Sequence, residues 1–214
     1  MTRDLWSLPL DFETLNPWGF KEHERGTAQL VNASLAELSS SVRKFLAALR
    51  LFQANRIEMK SKGPASLSFY WMFIGAEAAA LAFWNFHEAL QSLDALVGKS
   101  ATLKEHLDRK RIKDGRRFIS HLITDAKSIR YGITHAGRSM GSEKEWSKHT
   151  GGSGAFILNN LGGDVLHSTI DGKLAKIPIT DDTLEALLNS FHDISAAFAP
   201  VAQFASRFTS ASDR

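Results

Sequence analysis

The run Ile129–Gly137 combines two residue types that could act together on a phosphate ester: Arg130 and, five residues later, His135. The planar guanidinium of arginine can hold a phosphate through two parallel hydrogen bonds. The imidazole of histidine can take up or release a proton near neutral pH. The pair therefore indicates phosphate binding coupled to proton transfer, a chemistry that requires no metal ion.

The spacing of this pair limits how the two side chains can meet. Five residues on an unbroken helix correspond to a rotation of about 140° and a rise of roughly 7.5 Å. Arg130 and His135 would converge only at the edge of a shared groove, or if the helix loosened near Gly132. In the alternative interpretation, Arg130 is a surface cation and His135 is a polar residue that caps the end of the helix.

Other catalytic patterns in the sequence are weaker. No glutamate is followed by a histidine three residues later, cysteine is absent and the eight histidines are dispersed, so we predict no metal site and no cofactor. The string Gly137–Gly141 matches Gly-x-Ser-x-Gly, but a helix is predicted before it, where the hydrolase turn requires a strand. Arg117, His121 and Asp125 lie four residues apart on one face of a predicted helix, where a carboxylate could orient a catalytic histidine, but this spacing is also common for charge pairs on exposed helices.

Positive charge is concentrated in one part of the chain. The net charge is only +3, yet Lys99–Lys148 holds 13 lysines and arginines against 6 acidic residues. A local basic segment suits an anionic partner such as RNA or a nucleotide, although a solvated helix face would give the same pattern. The predicted nucleic-acid contacts are Lys110, Arg111, Arg116, Arg117 and Arg138.

The elements that must position these residues follow from the helical spacing of apolar side chains. The predicted helices lie at about 27–57, 66–97, 100–113 and 116–135. Asp114-Gly115 marks a break or kink between the last two, and Gly137 is the predicted terminator of the helix that carries the pair.

The second predicted helix is apolar almost all round between Leu67 and Phe86, with Glu77 as its single charge. A stretch of this length could span a bilayer. Alanine and glycine dilute it, however, and a charge at mid-span is costly, so we predict a buried central helix of a soluble bundle. Glu77 would then be buried and would need a polar partner, and we include it with Tyr131 as a supporting residue.

The sequence after the motif helix changes its period. Residues 137–154 form a loop rich in glycine, serine and charge, whose length indicates a functional or mobile segment. Short strands are predicted at 156–158, 165–170 and 174–177, with turns at 160–164 and 171–172. A last helix is capped by Thr180 and its neighbours and runs to about Phe198.

These elements predict a mainly α fold: an up-and-down helical bundle with a small β-hairpin or meander inserted before the last helix. We expect an irregular N-terminal arm at 1–26 that packs Trp6, Phe12 and Trp18 onto the body, one domain at 27–199 with the insertion at about 155–179, and a frayed tail at 200–214. Because the N-terminus lacks the pattern of a secretory signal and cysteine is absent, we expect a cytoplasmic protein with no membrane partner.

An arginine and a histidine in this spacing, late in a helix of an all-helical bundle, resemble the signature of the HEPN superfamily (higher eukaryotes and prokaryotes nucleotide-binding). The run SIRYGITHAG looks like the family motif, and two long helices before a motif helix, from Thr27 to Gly137, are similar to the family layout. The resemblance implies a metal-independent endoribonuclease that acts on RNA as a homodimer. Arg130 would clamp the scissile phosphate, and His135 would act as general acid or base.

The sequence departs from the family pattern at Tyr131, where active members usually carry Asn, Asp or His. The departure concerns catalysis more than the fold. It leaves a second function open: a non-catalytic helical-bundle module that binds a nucleotide or another protein, for example as a component of a toxin–antitoxin or defence system.

Overall fold

The computed structural model describes residues 9–62, 66–139, 160–170 and 173–208, without the side chains of 62, 135–139 and 170. The fold is mainly α, with a small antiparallel sheet before the last helix, as predicted. The helices are α1 (Arg25–Lys62), α2 (Leu67–Val97), α3 (Ala101–His106), α4 (Arg109–Ile119), α5 (Ile123–Ser139) and α6 (Asp181–Ser206), and the strands are β1 (Asn160–Gly162), β2 (Val165–Ile170) and β3 (Lys173–Pro178).

The contacts of the chain divide it into two compact units. The first comprises Met1–Val42, Asn85–Ser120 and Ala186–Arg214, and the second comprises Arg43–Trp84 and His121–Glu185. The expected single domain at 27–199 stays a prediction.

In the first unit, the N-terminal arm is fastened to α1 by side chains of the helix that bond to the backbone of the arm. Asn32 accepts the Leu15 N–H and donates to the Leu15 carbonyl, both at 2.8 Å. The Ser39 hydroxyl donates to the Leu10 carbonyl at 3.2 Å. Leu10, Leu15 and Phe20 are buried as a result.

The aromatic residues of the arm do not all pack as predicted. The prediction that Trp18 packs onto the body is wrong, because its side chain is 68% exposed. It lies instead beneath the guanidinium of Arg25, 4.5 Å from the ring centroid. Phe12 is half-buried, and Trp6 lies outside the described residues.

Glu24 is a buried carboxylate that joins the residue before α1 to the N-terminus of α3. One carboxylate oxygen accepts the Ser100 hydroxyl at 2.8 Å and the Ala101 N–H at 2.7 Å, and the second accepts the Thr102 hydroxyl at 2.7 Å. Burial raises the pKa of Glu24, but these hydrogen bonds favour the charged form more strongly and hold its pKa at about 2, below the ordinary 4.5. The charged carboxylate thereby supplies partners for donors at the start of α3.

The helix break predicted at Asp114-Gly115 is wrong, because α4 continues through both residues. The break lies earlier, at Leu107-Asp108. The Asp108 side chain caps α4 by accepting the N–H groups of Lys110 at 3.0 Å and Arg111 at 3.2 Å. A local cap thus decides where this helix begins.

Gly115 has a packing role within the first unit. A Cβ at this position would lie 2.9 Å from the Ile194 side chain and 3.0 Å from the Ser190 carbonyl oxygen, both on α6. Glycine therefore permits close contact between α4 and α6, and its buried site compensates for its low helix propensity.

The last helix is longer than predicted. α6 runs through Pro200 to Ser206, so the predicted end near Phe198 is wrong. The predicted frayed tail is also wrong for residues 200–206, which are helical. Val201 and Ala205 are fully buried beyond the proline, and this burial offsets the missing backbone donor. The predicted capping by Thr180 is confirmed, since its hydroxyl accepts the Thr183 N–H at 3.3 Å.

In the second unit, α1 and α2 approach each other closely at Gly75. A Cβ there would lie 2.8 Å from the backbone nitrogen of Phe52 and 3.0 Å from the carbonyl oxygen of Ala48. Ala76 and Ala79 beside it are fully buried. Small side chains on α2 therefore allow the two backbones to pack together.

The sheet of the second unit is a meander in the order β1-β2-β3, and β2 and β3 contact α5. The predicted strands at 165–170 and 174–177 are confirmed, but 160–162 forms β1 where a turn was predicted. The turn is shorter because Gly163 adopts a φ of 66°, a conformation that glycine accepts readily.

The predicted strand at 156–158, the turn at 171–172 and 140–154 of the predicted loop lie outside the described residues. Residues 137–139, predicted as the start of that loop after a terminating Gly137, belong to α5, so that termination is wrong.

The predicted full burial of α2 is wrong for its first half. Leu67, Tyr70, Trp71 and Ile74 are 46–70% exposed, and Glu77 is half-buried, because α2 buries only one face here. Among the described residues, α2 is long and apolar enough to cross a membrane by length and composition, and half of its most apolar stretch is buried. The core helix of a soluble protein has the same character.

Replacing Glu24 with glutamine should lower the free energy of unfolding by about 1–3 kcal/mol at pH 7, because an amide cannot satisfy all the donors around it. Glu22→Gln, an exposed change in the same 3-10 turn (Glu22–Glu24), should alter the free energy of unfolding by less than about 0.5 kcal/mol. Since the pKa of Glu24 is lower in the folded chain, its stabilisation is present above about pH 4.5 and is lost as the pH falls toward 2. Denaturant unfolding at pH 7 and pH 3 measures both effects; equal stability of Glu24→Gln and wild type at pH 7 would contradict this role.

Replacing Gly75 with alanine should destabilise the fold by about 1–3 kcal/mol, although alanine is the better helix former, because the methyl group would press on the backbone of α1. Gly26→Ala is the matched control, since a Cβ at Gly26 meets nothing within 4 Å. Thermal unfolding of both variants checks the contact. A Gly75→Ala protein as stable as Gly26→Ala would show that α1 and α2 do not require it.

Candidate functional site

The helix that carries the predicted pair, α5, is held in the second unit by one buried face and one polar contact. Ala126, Ile129 and Gly132 are buried along that face. The Asp125 carboxylate accepts the backbone N–H of Lys176 in β3 at 3.0 Å. The sheet therefore fixes the rotation of α5 about its own axis and decides which residues it presents to solvent.

Arg130 is exposed on α5, and its guanidinium carbon lies 5.4 Å from the ring centroid of Trp84 on α2. The Trp84 side chain is only 6% exposed, so the ring is a fixed support. A cation over the face of a tryptophan is attracted by the electron-rich ring, which restricts the flexible side chain. Arg130 is therefore an oriented positive charge that stays accessible to an anion.

The backbone of α5 is helical without interruption from Ile123 to Ser139. The helix does not loosen near Gly132, so Arg130 and His135 occupy backbone positions about 140° apart. The side chain of His135 lies outside the described residues, as does that of Arg138. Tyr131, between the two motif residues, is half-buried.

Two of the predicted nucleic-acid contacts in the first unit, Lys110 and Arg117, lie seven residues apart on one exposed side of α4. Arg117 also pairs with Asp114, with 3.1 Å between its Nη1 and the carboxylate. Arg111 is exposed as well and lies 3.6 Å from the Asp108 carboxylate. This side of α4 is basic, but neighbouring carboxylates partly neutralise it.

Arg116 differs from Lys110, Arg111 and Arg117 because its side chain pairs with another helix. It forms an ion pair with Asp94 of α2 and is half-buried. Burial lowers the pKa of its guanidinium, since the charged form loses hydration. Arg116 is thus engaged within the first unit and is less available to an RNA backbone than Lys110.

Among the described residues, the other candidate groups show no second catalytic arrangement. The carboxylate of Asp125 is engaged by β3, and a 3-10 turn at Ser120–Leu122 lies in the chain between α4, which carries Arg117, and α5, which carries Asp125. Within the described ranges, no group of three or more His, Cys, Asp or Glu side chains could hold a metal ion.

Trp84 is the site residue that sequence reasoning missed. It lies within the apolar stretch of α2, where an aromatic residue is expected in a core and carries no sign of a functional contact. A cation–π contact joins residues 46 positions apart, and only the packing of α2 near α5 brings them together. No family model, curated protein or solved structure matches the chain.

Proposed function

We propose that this protein is a metal-independent endoribonuclease in which Arg130 binds the scissile phosphate and His135 transfers protons. The observation that carries the proposal is the exposed guanidinium of Arg130, held over the buried ring of Trp84. An arginine restrained in this way suits phosphate binding, because less side-chain entropy is lost when the anion arrives.

The proposed reaction uses the RNA itself as nucleophile. His135 acts as a general base and takes the proton of the 2′-hydroxyl, whose oxygen attacks the adjacent phosphorus. The bond from phosphorus to the 5′-oxygen breaks, and a second histidine, acting as general acid, protonates the leaving oxygen. Arg130 stabilises the negative charge that develops on the phosphoryl oxygens. The products are a 2′,3′-cyclic phosphate and a 5′-hydroxyl.

The regular geometry of α5 favours a site shared between two copies of the chain. Because positions 130 and 135 diverge on an unbroken helix, one copy does not readily direct both side chains at the same phosphate. In a two-fold dimer, an arginine from one protomer can face a histidine from its partner. The same arrangement supplies the second histidine that the leaving group requires.

The basic side of α4 supports RNA as the substrate class. Exposed lysine and arginine side chains attract the phosphate backbone without reading its sequence. Added salt weakens such binding, because it reduces the free energy that is gained when counterions leave the RNA. Lys110, Arg111 and Arg117 are the cations of this side. The proposal is therefore of a nuclease with little base specificity at α4.

A non-catalytic binding module is the second candidate function, and Tyr131 favours it. The half-buried tyrosine follows Arg130 directly, where the resemblance leads us to expect Asn, Asp or His. A bulky ring there leaves Arg130 able to bind a phosphate while taking away a polar group from the site. In this case the protein would bind RNA or a nucleotide and leave it intact.

The variants Arg130→Ala and His135→Ala should each reduce RNA cleavage by at least about 100-fold, because each substitution removes a group that acts in the transition state. The loss should be the same with and without a chelator. RNA affinity should fall more for Arg130→Ala, which removes a phosphate contact. A labelled RNA assay and filter binding at fixed salt measure the two effects, and Trp84→Leu should give an intermediate loss because it removes only the support of Arg130.

Lys127→Ala is the matched control for these variants, since it removes an exposed cation from the same helix outside the motif. It should cleave RNA like the wild type. Cleavage that appears only when a divalent metal is added would refute the proposed chemistry. If wild type binds RNA but never cuts it, the second function is supported, and Tyr131→Asn then tests whether the tyrosine alone blocks catalysis.

A shared site also predicts a homodimer. Light scattering at micromolar concentration should give about twice the chain mass of 23.7 kDa. Mixing an excess of His135→Ala protein with wild type should reduce the cleavage given by the wild-type chains, because a mixed dimer retains only one of the two histidines that the shared site requires. A strict monomer that still cleaves RNA would disprove the shared site without disproving the nuclease.

A further inference from the structure

A pocket of about 270 Å³ lies within the first unit, lined by residues of α2, α4 and α6 and by Leu107 between α3 and α4. Its deepest side chains are Leu93, Leu107 and Phe198, which are 8% exposed or less. Val97 and Ile112 are half-buried at its sides. The volume is close to the lower end of the range for small-ligand pockets, and the interior is apolar.

The other side chains that line the pocket are charged. Arg109, Lys113 and Arg116 follow one another at spacings of four and three residues, so they lie along one side of α4. Arg116 forms its ion pair with Asp94, the carboxylate among the lining residues, and the two charges cancel. Arg109 and Lys113 remain as exposed cations, so the rim carries a net positive charge beside an apolar interior.

This combination selects a ligand with an anionic head and an apolar body. No Ser, Thr, Asn, Gln or Tyr side chain is present among the described residues that line the pocket. A purine or pyrimidine would leave its ring nitrogens and exocyclic groups without side-chain partners, and burying such groups unpaired is costly. An alkyl chain has no such groups and gains free energy from burial in proportion to its area.

We propose that this pocket binds a medium-chain alkyl carboxylate, with the chain between Leu93, Leu107 and Phe198 and the carboxylate at Arg109 and Lys113. An alkyl phosphate or sulfate shares the same chemistry and would occupy the pocket in the same way. The site is separate in residues from the proposed nuclease motif, so it stands whether or not the chain cleaves RNA.

Calorimetric titration of the full chain with octanoate tests the proposal. Octanoate should bind with a stoichiometry of one. Neutral 1-octanol should bind at least about tenfold more weakly, because it lacks the charge-assisted contacts. Acetate, which has the head group without the chain, should give no measurable binding, and AMP should not compete with octanoate. Octyl phosphate should compete.

Arg109→Ala and Lys113→Ala should each weaken octanoate binding about fivefold, as expected for a charge pair at a rim, and the double variant should weaken it further. Lys104→Ala is the matched control, since this exposed lysine of α3 does not line the pocket. Val97→Trp should abolish binding by filling the pocket, provided that circular dichroism shows it folded. The two α4 variants change exposed side chains and decide the question if Val97→Trp does not fold.

Equal affinity for octanol and octanoate would overturn the anionic part of the proposal. Displacement of octanoate by AMP would overturn the alkyl class in favour of a nucleotide. Octanoate binding that is unchanged in both the double variant and folded Val97→Trp would place the ligand elsewhere, and absence of binding would reject the site altogether.

Discussion

The close contact between α1 and α2 at Gly75 is the constraint on which the candidate site depends. The absence of a side chain lets the backbone of α2 lie against Phe52 and Ala48, and that contact sets which face of α2 is buried. Trp84 comes nine residues later, about 180° round the helix from Gly75, so its buried ring lies on the side of α2 opposite this contact, whereas Leu67 and Trp71 are exposed. A helix that is apolar on nearly all sides cannot choose its buried face by hydrophobicity alone, so the small residue decides it.

The basic residues of α4 and α5 have different consequences for function. On α5, burial against the sheet leaves Arg130 as an exposed cation above an aromatic support. On α4, the cations divide between two sides: Lys110 and Arg117 face solvent, while Arg116 is paired with Asp94 beside an apolar pocket. The sequence therefore gives only the number of positive charges on a helix. The rotation of the helix about its axis determines how many of those charges an anionic ligand can reach.

The long helices, the two later strands and the cap at Thr180 were predictable because each depends on local features: apolar spacing, short segments between glycine-containing turns, and a capping hydroxyl. The wrong predictions concern residues whose local tendency to end a helix is overridden by tertiary packing. Gly115 signalled a break, yet it permits the contact of α4 with α6. The last helix was predicted to end near Phe198, yet burial of the turns after Pro200 keeps α6 helical to Ser206.

The sequence by itself determined the mainly α class, the position of the small sheet before the last helix and the presence of Arg130 and His135 five residues apart. Only the tertiary structure decided that Arg130 is exposed over Trp84, that Glu24 is a buried carboxylate at the start of α3, and that Arg116 belongs to an ion pair. The physical reason is the distance along the chain over which each interaction acts. Periodicity and caps act over a few residues, whereas burial, ion pairing and ring contacts join residues that are distant in the chain and depend on how the helices pack.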